Sequence, residues 1–109
     1  MWIFTAYVLS RLAKKKGTDV ISLNEIYKLF FDIFWKRCRL GLVDSKEELL
    51  EELRYLESLG ALTIKGDTIK VKINEIDKIA SVVENSALRW ELLIYKEYLS
   101  RIKEGIELL

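Results

Sequence analysis

Histidine is absent from this chain of 109 residues, and cysteine occurs once, at Cys38. Zinc sites and Cys–His nucleophilic pairs each need several such side chains close together. Because neither can be assembled within one chain, we expect no metal site, no cofactor and no thiol catalysis. A single cysteine can form only an intermolecular disulfide or stay a free thiol. The simpler interpretation of Cys38 is a partly buried thiol that acts as a small apolar residue.

Proline is also absent, whereas lysine, glutamate, isoleucine and leucine are abundant. This composition is typical of proteins from hyperthermophiles, in which charged surface networks are common. About half of the residues are apolar, which is enough for one hydrophobic core in a chain of this length. We therefore expect a single domain.

An excess of charge of either sign is lacking, because 18 basic side chains face 17 acidic ones. No strong overall field would draw the protein to nucleic acid or to an anionic membrane. The charges are nevertheless segregated: residues 1–43 hold 8 basic and 3 acidic side chains, whereas residues 44–60 hold 2 basic and 6 acidic ones. Any basic surface must therefore be local.

Long apolar runs are missing as well. The apolar start of the chain, residues 1–12, lacks a basic leading region and is followed by Lys14, Lys15 and Lys16, unlike a signal peptide. It is also too short to span a bilayer. We therefore expect a cytoplasmic protein without a membrane partner.

Helical spacing of apolar residues predicts a first helix over residues 2–16. Gly17 is suited to end this helix after three lysines that favour its negative C-terminal end. A short extended stretch at Val20 and Ile21 follows. Ser22 with Glu25 three residues later is a capping-box pattern, which predicts that a second helix begins here and runs to about residue 37.

The second helix is unusually apolar. Its large residues cover more than the single stripe that a surface helix needs, which predicts burial on two sides, in the core and at a subunit interface. These residues are Ile26, Tyr27, Leu29, Phe30, Phe31, Ile33, Phe34 and Trp35.

A third helix is predicted to begin at Ser45, which again has a glutamate, Glu48, three residues later. Gly60 supplies the C-terminal stop. The leucines of this segment fall on one predicted buried face: Leu49, Leu50, Leu53, Leu56 and Leu59. The opposite stripe holds Glu47, Glu51, Arg54 and Ser58, with Glu48 and Glu52 beside it.

The apolar period changes to two between residues 61 and 73, which predicts a β-hairpin with Gly66-Asp67 as its turn. Ile64 then pairs with Ile69 and Leu62 with Val71, so that all four point to one side. Ile73 extends that face. The other, wet side holds Thr63, Lys65, Thr68, Lys70 and Lys72. Asn74 is predicted to cap a short helix that ends at about residue 83.

A final helix is predicted from Ser86 to the last residue. Its apolar residues follow an unbroken 4-3 spacing, which indicates a heptad seam that packs on its own domain or on a second chain. For the second alternative the dimer interface comprises Leu88, Leu92, Tyr95, Leu99, Ile102 and Ile106.

This order of elements resembles the winged helix-turn-helix domains of archaeal and bacterial transcription regulators. The segment SKEELLEELRYLESLGALTIKGDTIKV, residues 45–71, is the most similar part, because a helix with regular leucines ends at a Leu-Gly pair and leads directly into the hairpin. The last helix is similar to the dimerisation helices of small archaeal and archaeal-virus winged-helix proteins and of PadR-like regulators. The resemblance implies a mainly α fold with a small β-hairpin, a winged-helix domain at 1–85 and a dimerisation helix at 86–109.

In that family the third helix enters the major groove of double-stranded DNA, the hairpin, or wing, reaches the backbone or the minor groove, and a dimer spaces two such units along the duplex. Carried over to this chain, the resemblance implies DNA-binding roles for five residues of the third helix: Lys46, Glu47, Glu51, Arg54 and Ser58. It implies the same for Lys65, Lys70 and Lys72 on the wing. We also expect the basic ends of the first two helices to contact phosphates with little base readout. These residues are Lys14, Lys15, Lys16, Lys36, Arg37 and Arg39.

Two functions follow as alternatives. The first is a dimeric winged-helix DNA-binding protein of the kind that regulates transcription. The second is a winged-helix module that binds another protein and no DNA, which the acidic third helix favours, because carboxylates oppose phosphates. An enzyme is not expected, since the acidic residues have basic neighbours at helical spacing, such as Glu51 with Arg54, and no glycine-rich phosphate loop is present.

Overall fold

A computed structural model describes residues 2–37 and 41–84 of the chain. The fold is mainly helical with a small three-stranded antiparallel sheet. The first half holds α1 (Trp2–Lys16), β1 (Val20–Ser22) and α2 (Leu23–Tyr27), which continues as a π-helical segment (Lys28–Arg37). The second half holds α3 (Lys46–Ser58), β2 (Leu62–Lys65), β3 (Thr68–Val71) and α4 (Ile73–Glu84).

The first helix confirms the prediction over residues 2–16. It ends where Gly17 adopts a positive φ of 68°, a conformation that costs a glycine little. Nearly every side chain from Phe4 to Ala13 is buried, because α1 packs against α4, α3 and the sheet. Helix α1 is thus the centre of the described core rather than a surface element.

The capping residues predicted for the second and third helices are both confirmed. Ser22 Oγ accepts a hydrogen bond from the Glu25 N–H at 3.1 Å, and Ser45 Oγ accepts one from the Glu48 N–H at 3.1 Å. Each bond satisfies an amide that has no partner within its own helix. The start of both helices is therefore set by local sequence.

The second helix differs from its prediction, because only its first five residues are α-helical and the rest form the π-helical segment. Hydrogen bonds from i to i+5 place residues four or five positions apart on the same side. The buried side chains of this segment follow that spacing: Leu29, Phe30, Ile33 and Phe34. Trp35 is 48% exposed in the single chain, and its burial at a subunit interface stays a prediction.

On α3, Leu49, Leu53 and Leu56 are fully buried, as predicted, and Leu50 is partly buried. Leu59 is the exception, since it is 45% exposed. The helix ends at Ser58, so Leu59 lies in the turn before Gly60, whose φ is 80°, and no longer follows the buried face.

The hairpin register is confirmed, with Leu62 opposite Val71 and Ile64 opposite Ile69. The extended stretch at Val20 and Ile21 joins the sheet as β1, which pairs antiparallel with β3 and gives the strand order β1-β3-β2. The turn glycine, Gly66, has the expected positive φ of 59°. Ile21, Ile69 and Leu62 point into the core beneath the sheet.

The start of α4 corrects two predictions. Ile73 does not extend the hairpin face, because it is the first residue of α4, and Asn74 therefore lies inside the first turn rather than at the cap. The Lys72 carbonyl accepts the first bond of this helix, from the Ile76 N–H at 2.9 Å. Burial of Ile76 and Ala80 against α1 sets the orientation of α4.

No helix among residues 2–37 and 41–84 is long and apolar enough to cross a membrane. The predicted final helix and its heptad seam, from residue 86 onward, lie outside the described residues, as do Cys38 and Arg39.

Candidate nucleic-acid interface

The outer face of the sheet presents the lysines that the sequence assigns to the wing. Lys65 ends β2, Lys70 lies in β3, and Lys72 follows β3 with its N–H still bonded to the Ala61 carbonyl at 2.9 Å. Alternation along the strands sends Ile69 and Val71 inward and these lysines outward. All three lysine side chains are exposed.

Two cross-strand rows organise this face. One row runs from Thr63 through Lys70 to Val20, and the next runs from Lys65 through Thr68 to Ser22. Lys65 and Lys70 are diagonal neighbours on paired strands, for which the separation is about 7–8 Å. The surface therefore combines ammonium groups with hydroxyl groups, both of which donate hydrogen bonds to phosphate.

Carboxylates are scarce on the hairpin. Asp67, in the turn, is the only acidic residue between positions 61 and 72. Glu57, at the end of α3, is the nearest acid before the hairpin in the sequence, and its Oε2 accepts a hydrogen bond from the Ile64 N–H at 2.6 Å. Among the residues that the structure describes, Lys65, Lys70 and Lys72 form no ion pair, so their charges are available to an external anion.

The exposed side of α3 is acidic, as the sequence predicts: Glu47, Glu51, Arg54 and Ser58 are all exposed. The expected pair between Glu51 and Arg54 is not among the ion pairs of the described residues, which corrects that prediction. Lys46, at the start of the helix, is also exposed, and its Nζ lies 5.0 Å from the centre of the Tyr27 ring. This cation–π contact directs the ammonium group toward α2.

Glu52 was expected beside the exposed stripe, but the structure buries it between α3 and α1, where it is only 9% exposed. Its Oε1 accepts a hydrogen bond from the fully buried hydroxyl of Thr5 at 2.9 Å. Burial raises the pKa of Glu52 above its ordinary value, although the Thr5 hydrogen bond acts in the opposite direction. Glu52 therefore adds less negative charge to the surface of α3 than the sequence indicates.

The lysines that end α1 are largely engaged within the protein. Lys14 Nζ lies 3.1 Å from Asp77 Oδ2 on α4, and Lys16 pairs with Glu25 on α2. Lys15 is exposed and has no ion pair within the described part of the chain. Two of the three lysines are thus paired with carboxylates of the protein itself, and their role at phosphates stays a prediction.

Asp77 was not singled out from the sequence, yet it joins α4 to α1. Its Oδ1 accepts a hydrogen bond from the buried Ser10 hydroxyl at 2.6 Å, in addition to the Lys14 contact. Burial by itself raises the pKa of Asp77, but the bonds from Ser10 and Lys14 outweigh it and leave that pKa below its ordinary value. No local pattern could reveal this contact, since Ser10 and Asp77 are 67 residues apart.

The remaining predicted residues fall in two groups. Lys36 pairs with Asp32 one turn away, at 3.4 Å. The side chain of Arg37 and the residues of the predicted dimer seam lie outside the described set: Leu88, Leu92, Tyr95, Leu99, Ile102 and Ile106.

Within the described residues, no group of three or more cysteine or carboxylate side chains could hold a metal ion.

Comparison with protein-family models, with curated proteins and with solved structures finds no match to this chain.

Proposed function

We propose that this chain is a dimeric winged-helix DNA-binding protein that contacts backbone phosphates through its hairpin. The order helix, strand, two helices and hairpin supports the proposal, as does the join at Leu59-Gly60 that leads from α3 into β2. A role in transcription regulation follows from the resemblance alone, which is an argument by analogy.

One observation supports the proposal best. Lys65, Lys70 and Lys72 point outward from one hairpin and are exposed, and they have no carboxylate partner in residues 2–37 or 41–84. Lysine side chains that neutralise phosphates release condensed counterions, which supplies most of the affinity of non-specific DNA binding. These lysines provide a local basic surface for such binding, although the protein as a whole is nearly neutral.

The acidic stripe of α3 limits the kind of DNA binding that we propose. Glu47 and Glu51 would lie near phosphates if α3 entered the major groove, and this placement would weaken binding. A glutamate can accept a hydrogen bond from cytosine, but Arg54 is the only cation on that stripe. We therefore assign affinity to the hairpin and expect little sequence readout.

The test is a titration of fluorescently labelled duplex DNA at several salt concentrations between about 50 and 200 mM. We expect binding that weakens steeply as salt rises. Replacing Lys65, Lys70 and Lys72 by Gln should lower the slope of log K against log salt by roughly 3 for each protomer whose hairpin contacts the DNA, because each lysine that neutralises a phosphate adds about one unit to that slope.

A variant with the same change in charge serves as the control: Arg11→Gln, Lys28→Gln and Lys78→Gln alter exposed basic residues on α1, the π-helical segment and α4. The control should keep nearly the whole slope. Equal losses in both variants would assign the binding to overall charge, and absence of binding by the folded protein at low salt would overturn the proposal.

A module that binds another protein is the second candidate. The observation that favours it is the exposed stripe of α3, which is acidic and includes the half-exposed ring of Tyr55. Apolar and aromatic side chains at a surface are typical of protein interfaces.

A further inference from the structure

A ridge of four residues spaced four apart runs along the exposed side of α3 and into the turn that follows it: Glu47, Glu51, Tyr55 and Leu59. Residues at this spacing form the rows of side chains that pack into grooves of a neighbouring helix. The first two members are carboxylates, and the last two are apolar or aromatic. The α3 ridge therefore changes character along its length, from acidic to apolar.

The apolar half of the α3 ridge leaves much of two large side chains in contact with solvent. Tyr55 is 46% exposed and Leu59 is 45% exposed. Trp2, on α1, meets the Tyr55 ring edge-on, with the ring centres 5.0 Å apart. This contact holds the aromatic ring in place while leaving much of it open, as in a preorganised anchor at a protein interface.

The acidic half differs from the other carboxylates of α3. Glu48 accepts a hydrogen bond from the Asp44 N–H, Glu52 from Thr5, and Glu57 from the Ile64 N–H. These three carboxylates thus accept hydrogen bonds within the protein. Glu47 and Glu51 are exposed and take part in no ion pair among the described residues, although Arg54 lies beside them.

We propose that the α3 ridge is a docking site for a basic amphipathic helix of a partner protein. Apolar side chains of that helix would cover Tyr55 and Leu59, and its lysines or arginines would face Glu47 and Glu51. Charge complementarity of this kind selects the partner and speeds association, whereas the aromatic anchor supplies most of the affinity. DNA would not suit this surface, because two carboxylates would face its phosphates.

This proposal develops the second candidate function and does not require that the hairpin binds DNA. It concerns a different surface from Lys65, Lys70 and Lys72. One protein can therefore use both surfaces, and each can be tested without the other.

The test uses the full chain and a synthetic peptide of roughly 18 residues, long enough to form a helix, with leucines on one face and lysines beside them. The comparison peptide has glutamates in place of the lysines. We expect the lysine peptide to bind and to shift the NMR amide signals of α3. The glutamate peptide should not bind.

Two pairs of substitutions separate the two halves of the ridge. Tyr55→Ser with Leu59→Ser should weaken binding roughly tenfold and keep its salt dependence, because it removes apolar anchors. Glu47→Gln with Glu51→Gln should flatten the salt dependence. The controls, Val82→Ser for the apolar pair and Asp32→Asn with Glu75→Gln for the acidic pair, change exposed residues elsewhere and should bind like the unsubstituted protein.

Several results would overturn the proposal. They are no binding of the lysine peptide, equal binding of both peptides, or an equal loss of binding in the control variants. Two further results would replace the partner helix by another occupant and so overturn the proposal. If Tyr55→Ser with Leu59→Ser turns a dimer into a monomer, a second copy covers the ridge. If the same change shifts the amide signals of residues 86–109 in the free protein, the chain's own C-terminal segment covers the ridge.

The hairpin variant, Lys65→Gln with Lys70→Gln and Lys72→Gln, connects this test to the DNA titration. Unchanged peptide binding in this variant supports separate surfaces, whether or not DNA binds. Reduced peptide binding would place the peptide on the sheet and overturn the assignment to α3.

Discussion

Single residues of α3 show how the same side chain serves different purposes. Glu48 and Glu57 accept backbone N–H groups at the two ends of the helix, and Glu52 is buried against Thr5 on α1. Glu47 and Glu51 remain exposed. A glutamate is thus a cap, a core residue or a surface charge according to which group the fold places within hydrogen-bond distance.

Glu52 makes the stability of the fold depend on pH. Burial raises its pKa, so the native state keeps the proton to a higher pH than the unfolded chain does. The contribution of this group is fully present below its unfolded pKa, near 4.5, and is lost as pH rises through the native pKa. Glu52→Gln removes the titration and retains a side chain that can bond to Thr5.

We therefore expect the unfolding free energy of Glu52→Gln to improve relative to the unsubstituted protein as pH rises from below 4.5 to neutral. Urea unfolding at a series of pH values measures this difference. Glu51→Gln, which changes an exposed side chain on the same helix, is the matched control. An equal trend in both variants would contradict the role of burial.

Secondary-structure elements differ in how far their own sequence defines them. The capping serines and turn glycines act through bonds or backbone angles within a few residues, and the predicted ends at Gly17 and Gly60 are confirmed. The π-helical segment and the start of α4 are set by which side chains reach the core. Periodicity alone does not contain that information.

Leu56 and Leu59 provide a matched pair for the packing of α3. They were assigned to the same face, but Leu56 is fully buried and Leu59 is 45% exposed. Leu56→Ala should lower the free energy of unfolding by about 2–5 kcal/mol, because it removes buried side-chain atoms and leaves a cavity. Leu59→Ala should change it by less than about 0.5 kcal/mol. Denaturant unfolding of both variants measures the two values, and comparable losses would contradict the exposed position of Leu59.

The charges of residues 2–37 and 41–84 are separated in space, and the chain as a whole is nearly neutral. Lysines dominate the outer face of the sheet, and carboxylates dominate the exposed side of α3. The basic end of α1 is connected to α4 and α2 by Lys14–Asp77 and Lys16–Glu25. This arrangement favours two binding surfaces of opposite sign over one broad anion site.

Dimerisation is predicted from the heptad spacing of residues 86–109. We expect Leu99→Lys, which places a charge in the seam, to convert a dimer into a monomer, because an unpaired buried charge is strongly unfavourable. Glu97→Lys introduces the same side chain at an outer position of the heptad and is the control. Sedimentation analysis measures the mass, and a dimer that survives Leu99→Lys would refute the seam.

Local sequence determined the bounds of α1, the capping of α2 and α3, and the register of the hairpin, because these depend on neighbours within a few residues. It also placed Lys65, Lys70 and Lys72 correctly on the exposed face of the hairpin. Only the tertiary structure decided that Glu52 is buried, that Lys14 and Lys16 are paired, and that Leu59 is exposed. Each of these depends on which distant segment packs alongside, and such long-range contacts leave no periodic signal in a single sequence.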